Sequence, residues 1–118
     1  NPETIATAIR IGNPQSWKLA HEARVQSGGW FTPCEDSEIL SAQKFLAQRE
    51  GIFCEPASAA SVAGLIKALS AGHIPDGKSV VCTLTGHGLK DPDVAISQCP
   101  APVRVAPTVD AVRAAILR

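Results

Sequence analysis

The 118-residue chain contains no methionine. It also has no net charge, no C-x-x-C pair and no long apolar run, and each absence excludes something. Lys and Arg together number 11, as do Asp and Glu. A neutral chain lacks the basic excess that neutralises phosphates, which argues against nucleic-acid binding. It equally lacks the polybasic surface that anionic membranes attract. No apolar run reaches the roughly 20 residues needed to cross a bilayer. No charged-then-apolar leader opens the sequence, so no secretory signal is expected. The chain begins Asn1-Pro2-Glu3-Thr4. The missing methionine leaves two expectations, a removed start or a piece of a longer polypeptide.

Cys34, Cys54, Cys82 and Cys99 lie 20, 28 and 17 positions apart, which fits neither a zinc ribbon nor a redox pair. Cys54 follows Ile52-Phe53 and Cys82 follows Val80-Val81. That apolar context reads as buried reduced thiols and a cytoplasmic location. His21, His73 and His87 are far apart, so no metal site is expected.

What is present suits one soluble domain spanning residues 1–118, with 45% hydrophobic and 19% charged residues. Residues 4–11 alternate Ile5, Thr7, Ile9 and Ile11 against Ala6, Ala8 and Arg10, as a strand does. Gly12-Asn13-Pro14 stops them. A helix is expected over 14–27, with Trp17, Ala20 and Ala23 facing in and Gly28-Gly29 ending it. Residues 30–32 read as a short strand. Asp36 and Glu38 suit the first turn of a helix reaching about Glu50, with Ile39, Ala42, Phe45 and Leu46 inside and Gly51 as its cap. Pro56 opens a helix to about residue 71 carrying Val62, Leu65, Ile66 and Leu69 on one stripe. Residues 79–85, Ser-Val-Val-Cys-Thr-Leu-Thr, lack polar alternation, as a strand covered on both faces would. Residues 86–92 form a loop or a single turn. Residues 103–105 are a candidate short strand, and Thr108 caps a last helix with Val109, Val112, Ala115 and Ile116. Alternating strands and helices predict an α/β fold, a three-layer αβα sheet with residues 79–85 central. Ligands collect at the carboxyl ends of such strands, here around Gly12, Glu55 and Thr85–Gly88.

Three constellations stand out. Thr85-Gly86-His87-Gly88 either makes a tight turn or lets the backbone approach a ligand while Thr85 offers its hydroxyl; it is not a Walker loop. Glu55-Pro56-Ala57-Ser58-Ala59-Ala60-Ser61 is either ordinary capping with close packing or a helix start that faces a planar cofactor. Arg10 is either a paired structural charge or a contact for an anionic substrate.

Together, residues 4–14, 51–59 and 84–92 resemble the C-terminal part of the threonine synthases, a family of fold-type-II pyridoxal-phosphate enzymes. The Glu-Pro-small-small element is shared with serine and threonine dehydratases, but Thr-Gly-His-Gly stands where those usually carry Ser-Gly-Gly-Asn. The resemblance implies a C-terminal fragment of the large cofactor-binding domain of a chain about three times as long. It places the cofactor-linking lysine upstream, since Lys18, Lys44, Lys67, Lys78 and Lys90 match no such motif. This chain alone is therefore expected to be inactive. It implies pyridoxal 5'-phosphate as cofactor, with the Thr85 hydroxyl on the ring nitrogen and Glu55 and the Ala8 backbone near the ring. The implied reaction of the parent is lyase chemistry of threonine biosynthesis: O-phosphohomoserine and water give threonine and phosphate by γ-elimination and β-addition. A neutral hydroxyl leaves the ring nitrogen largely unprotonated, which favours elimination over transamination. A homodimer is expected. Two other readings stay open, a dehydratase of the same fold and a non-catalytic α/β binding module.

Overall fold

Helix α3, Pro56–Ser70, is the element against which the preceding helix and the first 3-10 turn pack. In the computed structural model, which describes residues 1–117, it follows α1 (Trp17–Ser27) and α2 (Asp36–Phe45) and precedes α4 (Pro92–Gln98) and α5 (Val109–Ile116). Single 3-10 turns lie at Thr7–Ile9 and Gly88–Lys90. Pro56 opens α3 because the first helical position needs no N–H donor.

The face that α3 buries is small: Ser58, Ala59, Val62, Ala63 and Ala68. Small side chains let α2 approach closely and insert Ile39, Ala42 and Leu46. Ala6 and Cys54 complete this core. Phe45, expected inside, is half exposed, as are Ile66 and Leu69 on the expected α3 stripe. The buried stripe of α3 is its alanine face, one step round from the larger side chains.

The start of α2 is fixed by a reciprocal cap in which the Glu35 N–H donates to Glu38 Oε2 at 2.7 Å. One wide π turn, Leu46–Glu50, carries the helix on to Gly51, whose φ of 66° suits glycine. Lys67 of α3 then reaches Glu38 at 3.1 Å and the Pro33 carbonyl at 3.0 Å. The Glu35 N–H, and after it the Lys67 ammonium, hold the Glu38 carboxyl below its usual range. A depressed folded value means that this tether is present above the unfolded carboxyl range. It is lost as pH falls through the folded value.

The expected sheet does not form among the described residues. Their one ladder contact is an antiparallel bridge between Cys54 and His87. The reason lies in the backbone donors. In residues 4–11 the Ile5 N–H goes to Asp36 Oδ2 at 3.0 Å and the Thr7 N–H to Asp91 Oδ2 at 3.4 Å. Ile9 then closes a 3-10 turn onto the Ala6 carbonyl. Two carboxylates satisfy donors that a neighbouring strand would otherwise take. Residues 79–85 keep the alternation of a strand without its ladder: Cys82 and Leu84 pack toward the core while Val81 is 91% exposed. Residues 30–32 and 103–105 form no strand either. Helix α1 starts at Trp17 rather than 14 and buries nothing, so Trp17, Ala20 and Ala23 do not face inward. Helix α4 was not expected, although Asp91-Pro92 is a helix-start signature. Helix α5 is capped as expected, with the Ala111 N–H on Thr108 Oγ1 at 3.3 Å.

The accessible surface is 9155 Å², against about 6,100 Å² for a compact monomer of this mass. The radius of gyration is 18.6 Å, against about 13.5 Å for a compact domain. Apolar side chains of α1, residues 79–81 and α5 lie open on that surface. No helix is long and apolar enough to cross a membrane.

Because Ile39 is 2% exposed between α2 and α3, Ile39→Ala should lower the unfolding free energy by about 2–5 kcal/mol. Phe45→Ala, on the open side of the same helix, should cost clearly less. Urea unfolding of the two variants checks the order.

Candidate functional site

The loop before α3 and the loop that follows residues 79–85 meet edge to edge. Glu55 donates its N–H to the Gly86 carbonyl at 3.0 Å, and Gly88 donates its N–H to the Phe53 carbonyl at 3.0 Å. This exchange places each glycine against a side chain. A Cβ on Gly86 would sit 1.8 Å from Glu55 Oε1, and one on Gly88 would sit 2.4 Å from the Phe53 ring. The Gly-x-Gly pattern thus makes room for Glu55 and Phe53. Of the two sequence readings, a tight turn or a close approach to a ligand, the contacts that the glycines make are with the protein's own side chains. Phe53 also meets the His87 imidazole edge to face, with centroids 5.5 Å apart.

Behind this junction lies a buried polar centre. Ser58, on the first turn of α3, is 3% exposed. Its hydroxyl accepts from the Gly86 N–H at 2.8 Å, lies 3.3 Å from Thr85 Oγ1, and donates to Glu55 Oε1 at 3.4 Å. Glu55 is also buried, and Lys90 reaches its Oε1 at 3.8 Å. Thr85 itself is exposed. Its hydroxyl has Ser58 as its side-chain partner among the described residues. Gln43 of α2 supports the same junction from below, donating to the Cys54 carbonyl at 2.8 Å and accepting from Gln98 at 3.0 Å.

The turn that carries Ala8 belongs to the same neighbourhood. Asp91, 8% exposed, takes the Thr7 hydroxyl at 2.7 Å, and the turn packs against α3. Ala8 is exposed there. The three expected site residues therefore sit on segments that the structure joins: Thr85 at an open edge, Glu55 buried behind Gly86, and Ala8 on a turn clamped by Asp91. Arg10 is exposed and donates its Nε to the Thr4 carbonyl, and no carboxylate pairs with it among the described residues, so the expected paired charge is not formed. Ser58, Gln43 and Asp91 escaped the sequence reading. Their partners lie 27, 11 and 84 positions away, and no local pattern announces such pairings.

The thiols are free. Burial first, and then the charge of Glu55, push the Cys54 thiol up, so it stays protonated and serves packing rather than nucleophilic attack. Burial and Glu38 do the same to Cys34. Cys82 is half-buried and Cys99 exposed, so the buried reading holds fully for Cys54 alone among the two expected. No group of three His, Cys, Asp or Glu gathers among the described residues.

Gly86→Ala should displace the Glu55 carboxylate from Ser58 and Lys90 and destabilise the protein by about 1–3 kcal/mol. In a Glu55→Ala background the same change should cost markedly less, because the obstructing side chain is gone. A double-mutant cycle by urea unfolding measures this coupling.

Comparison with known proteins places this junction in a family. The sequence model of the pyridoxal-phosphate dependent enzymes matches residues 1–86, which include Ala8, Glu55, Ser58 and Thr85. The chain is 57% identical over 101 residues to the threonine synthase of Mycobacterium leprae, covering 86% of this chain and 28% of that protein. To the threonine synthase of Mycobacterium tuberculosis it is 57% identical over 109 residues, 91% of this chain and 30% of the relative. To that of Methanocaldococcus jannaschii it is 55% identical over 105 residues, 89% of this chain and 26% of the relative. The chain thus spans less than a third of the length of the curated relatives it matches. A match over nearly three quarters of its length assigns the chain to the family of pyridoxal-phosphate dependent enzymes.

Proposed function

We propose that the chain is the C-terminal part of a threonine synthase, a lyase that converts O-phosphohomoserine and water into threonine and phosphate. The observation that carries this reading is the 57% identity over 91% of the chain to a protein of that name. A match of that extent necessarily takes in Glu55, Ser58, Thr85 and Gly86.

The residues fit the cofactor. Thr85 presents a neutral hydroxyl on an open edge while its other side is held by a buried serine. That suits a ring nitrogen, which needs one hydrogen-bond partner and no charge. Bound pyridoxal phosphate supplies an electron sink for the α-carbon of an amino acid. In this reading Thr85 orients the ring and keeps its nitrogen from acquiring a proton. The Ala8 backbone, on the turn held by Asp91, lies near the ring. Glu55 lies beneath it, holding Lys90 and Ser58 in place. The cofactor-linking lysine and the phosphate ligands belong to the part of the polypeptide outside this chain.

The same reading accounts for the open surface. In the full-length protein residues 4–11 and 79–85 find partner strands and complete the three-layer αβα sheet. The apolar sides of α1 and α5 are covered by the remaining polypeptide or by a second copy in a homodimer. A cytoplasmic site of action goes with this biosynthetic role.

The full-length protein loaded with pyridoxal phosphate should release phosphate from O-phosphohomoserine and form threonine in equal amount, whereas this chain alone should release none above background. Deamination of threonine without turnover of O-phosphohomoserine would instead make it a dehydratase. Thr85→Val in the full-length protein should weaken cofactor binding only about fivefold, the loss of one neutral hydrogen bond. Thr85→Asp should slow threonine formation and raise transamination, because a carboxylate draws a proton onto the ring nitrogen. A wild-type rate and product ratio in Thr85→Asp would remove Thr85 from the nitrogen.

A further inference from the structure

We propose that Ser58 is a positioning residue that fixes which way the Thr85 hydroxyl points, and so whether Thr85 gives or takes a hydrogen bond at the ring nitrogen. The proposal rests on the placement of Thr85 argued above and adds to it the group that controls it.

A serine hydroxyl has one proton to give and two lone pairs to offer. One lone pair of Ser58 is committed to the Gly86 N–H at 2.8 Å. The proton has two claimants at nearly equal distance, Glu55 Oε1 at 3.4 Å and Thr85 Oγ1 at 3.3 Å. Only two arrangements avoid setting lone pairs against each other. In the first, Ser58 donates to Glu55, and Thr85 must donate to Ser58. Thr85 then shows only lone pairs to its open side and accepts. In the second, Ser58 donates to Thr85, and the Thr85 proton turns outward and donates. The choice made at a buried serine thus sets the polarity shown at an exposed threonine.

An unprotonated pyridine nitrogen is an acceptor and selects the second arrangement. Ser58 then turns its proton from Glu55 to Thr85. Glu55 loses a long hydrogen bond and keeps Lys90. A protonated nitrogen is a donor and selects the first arrangement, in which Ser58 gives its proton to a charged acceptor. Glu55 therefore draws the Ser58 proton, and with it the Thr85 proton, inward and opposes the donating order, and Ser58 is the group through which it does so. Other titratable groups nearby do not compete. The Cys54 thiol is buried behind Glu55, and His87 uses its Nδ1 to accept from the Leu89 N–H.

The test uses the full-length protein with pyridoxal phosphate labelled at the ring nitrogen with nitrogen-15. The wild-type resonance should begin to move toward its protonated position at the acid end of the range in which the protein remains folded, because the Thr85–Ser58–Glu55 order leaves Thr85 an acceptor. In Ser58→Ala it should keep its unprotonated position to a lower pH than in the wild type, because Thr85 can no longer give its proton inward and keeps it for the nitrogen. Ser58→Cys, close in volume and a weak donor, should move the same way by less and serves if the alanine variant fails to fold. Equilibrium binding gives the second readout. Ser58→Ala should change cofactor affinity, by up to about fivefold, in the wild-type background and add nothing in Thr85→Val, since it acts through Thr85. A wild-type nitrogen titration in both Ser58 variants overturns the proposal. So do additive effects on affinity, which would make Ser58 a support for the Gly86 loop alone. If Thr85→Val itself leaves both resonance and affinity unchanged, the placement of Thr85 fails, and the proposal fails with it.

Discussion

Helix α3 has no large side chain on the face it buries, and that forces its neighbours to come close. Ser58, Ala59 and Ala63 leave room for Ile39, Ala42 and Leu46 of α2 on one side and for Ala6 on another. Close approach has a second effect. At the first turn of α3 the buried position is a serine, so the next segment is held by hydrogen bonds instead of by apolar bulk. The Gly86 N–H reaches Ser58 because neither Gly86 nor Gly88 carries a Cβ, and a Cβ would collide with Glu55 or Phe53. The helix start, the glycine loop and the open threonine are therefore one unit. A change in any of them is felt by the other two.

Around that unit side-chain acceptors take backbone donors that a neighbouring strand would otherwise take. Asp36 takes donors from Thr4 and Ile5, and Asp91 takes donors from Thr7. Both carboxylates act as local stand-ins for a neighbouring backbone, which is why residues 4–11 bend into a 3-10 turn. Residues 79–85 have no such stand-in beyond Ser61, which donates to the Thr83 carbonyl at 3.3 Å. They keep the side-chain alternation of a strand and leave most of their peptide groups to solvent. A strand is defined by its partner, whereas a helix satisfies its own donors and acceptors. Among the described residues the helices form and the sheet does not.

The same asymmetry explains what could be read from the residues. The ends of α2, α3 and α5 were legible because caps are local: Pro56 opens one helix, Gly51 closes another and Thr108 caps the last. Thr85 and Glu55 were legible as positions because they flank sharp punctuation, Gly86 and Pro56. Helix α4 carried a readable signal in Asp91-Pro92 that a loop reading absorbed. Ser58 was not legible. In the sequence it is one of several small residues in a run, no different from Ser61. Only the fold shows that one of the two faces a buried carboxylate and a threonine while the other bonds carbonyls of its own helix and of Thr83. The inner faces of the helices were half legible for a related reason. Periodicity picks the stripe with the largest side chains, but α3 packs through its smallest ones.

The arrangement also explains how a charge is tolerated so near the neutral contact proposed at Thr85. Glu55 is 5% exposed, and a bare carboxylate at that depth would be costly. Lys90, largely exposed, meets it at 3.8 Å and keeps its own charge in water. That compensates the carboxylate without a second buried ion. Between Glu55 and the open edge stand Gly86 and the Ser58 hydroxyl. One supplies no side chain and the other supplies a single proton that can face either way. The charge is thus transmitted to Thr85 only as a preference of hydrogen-bond direction and not as a full field. A threonine in that position can serve a ring nitrogen as a neutral partner even though a carboxylate lies one hydroxyl behind it.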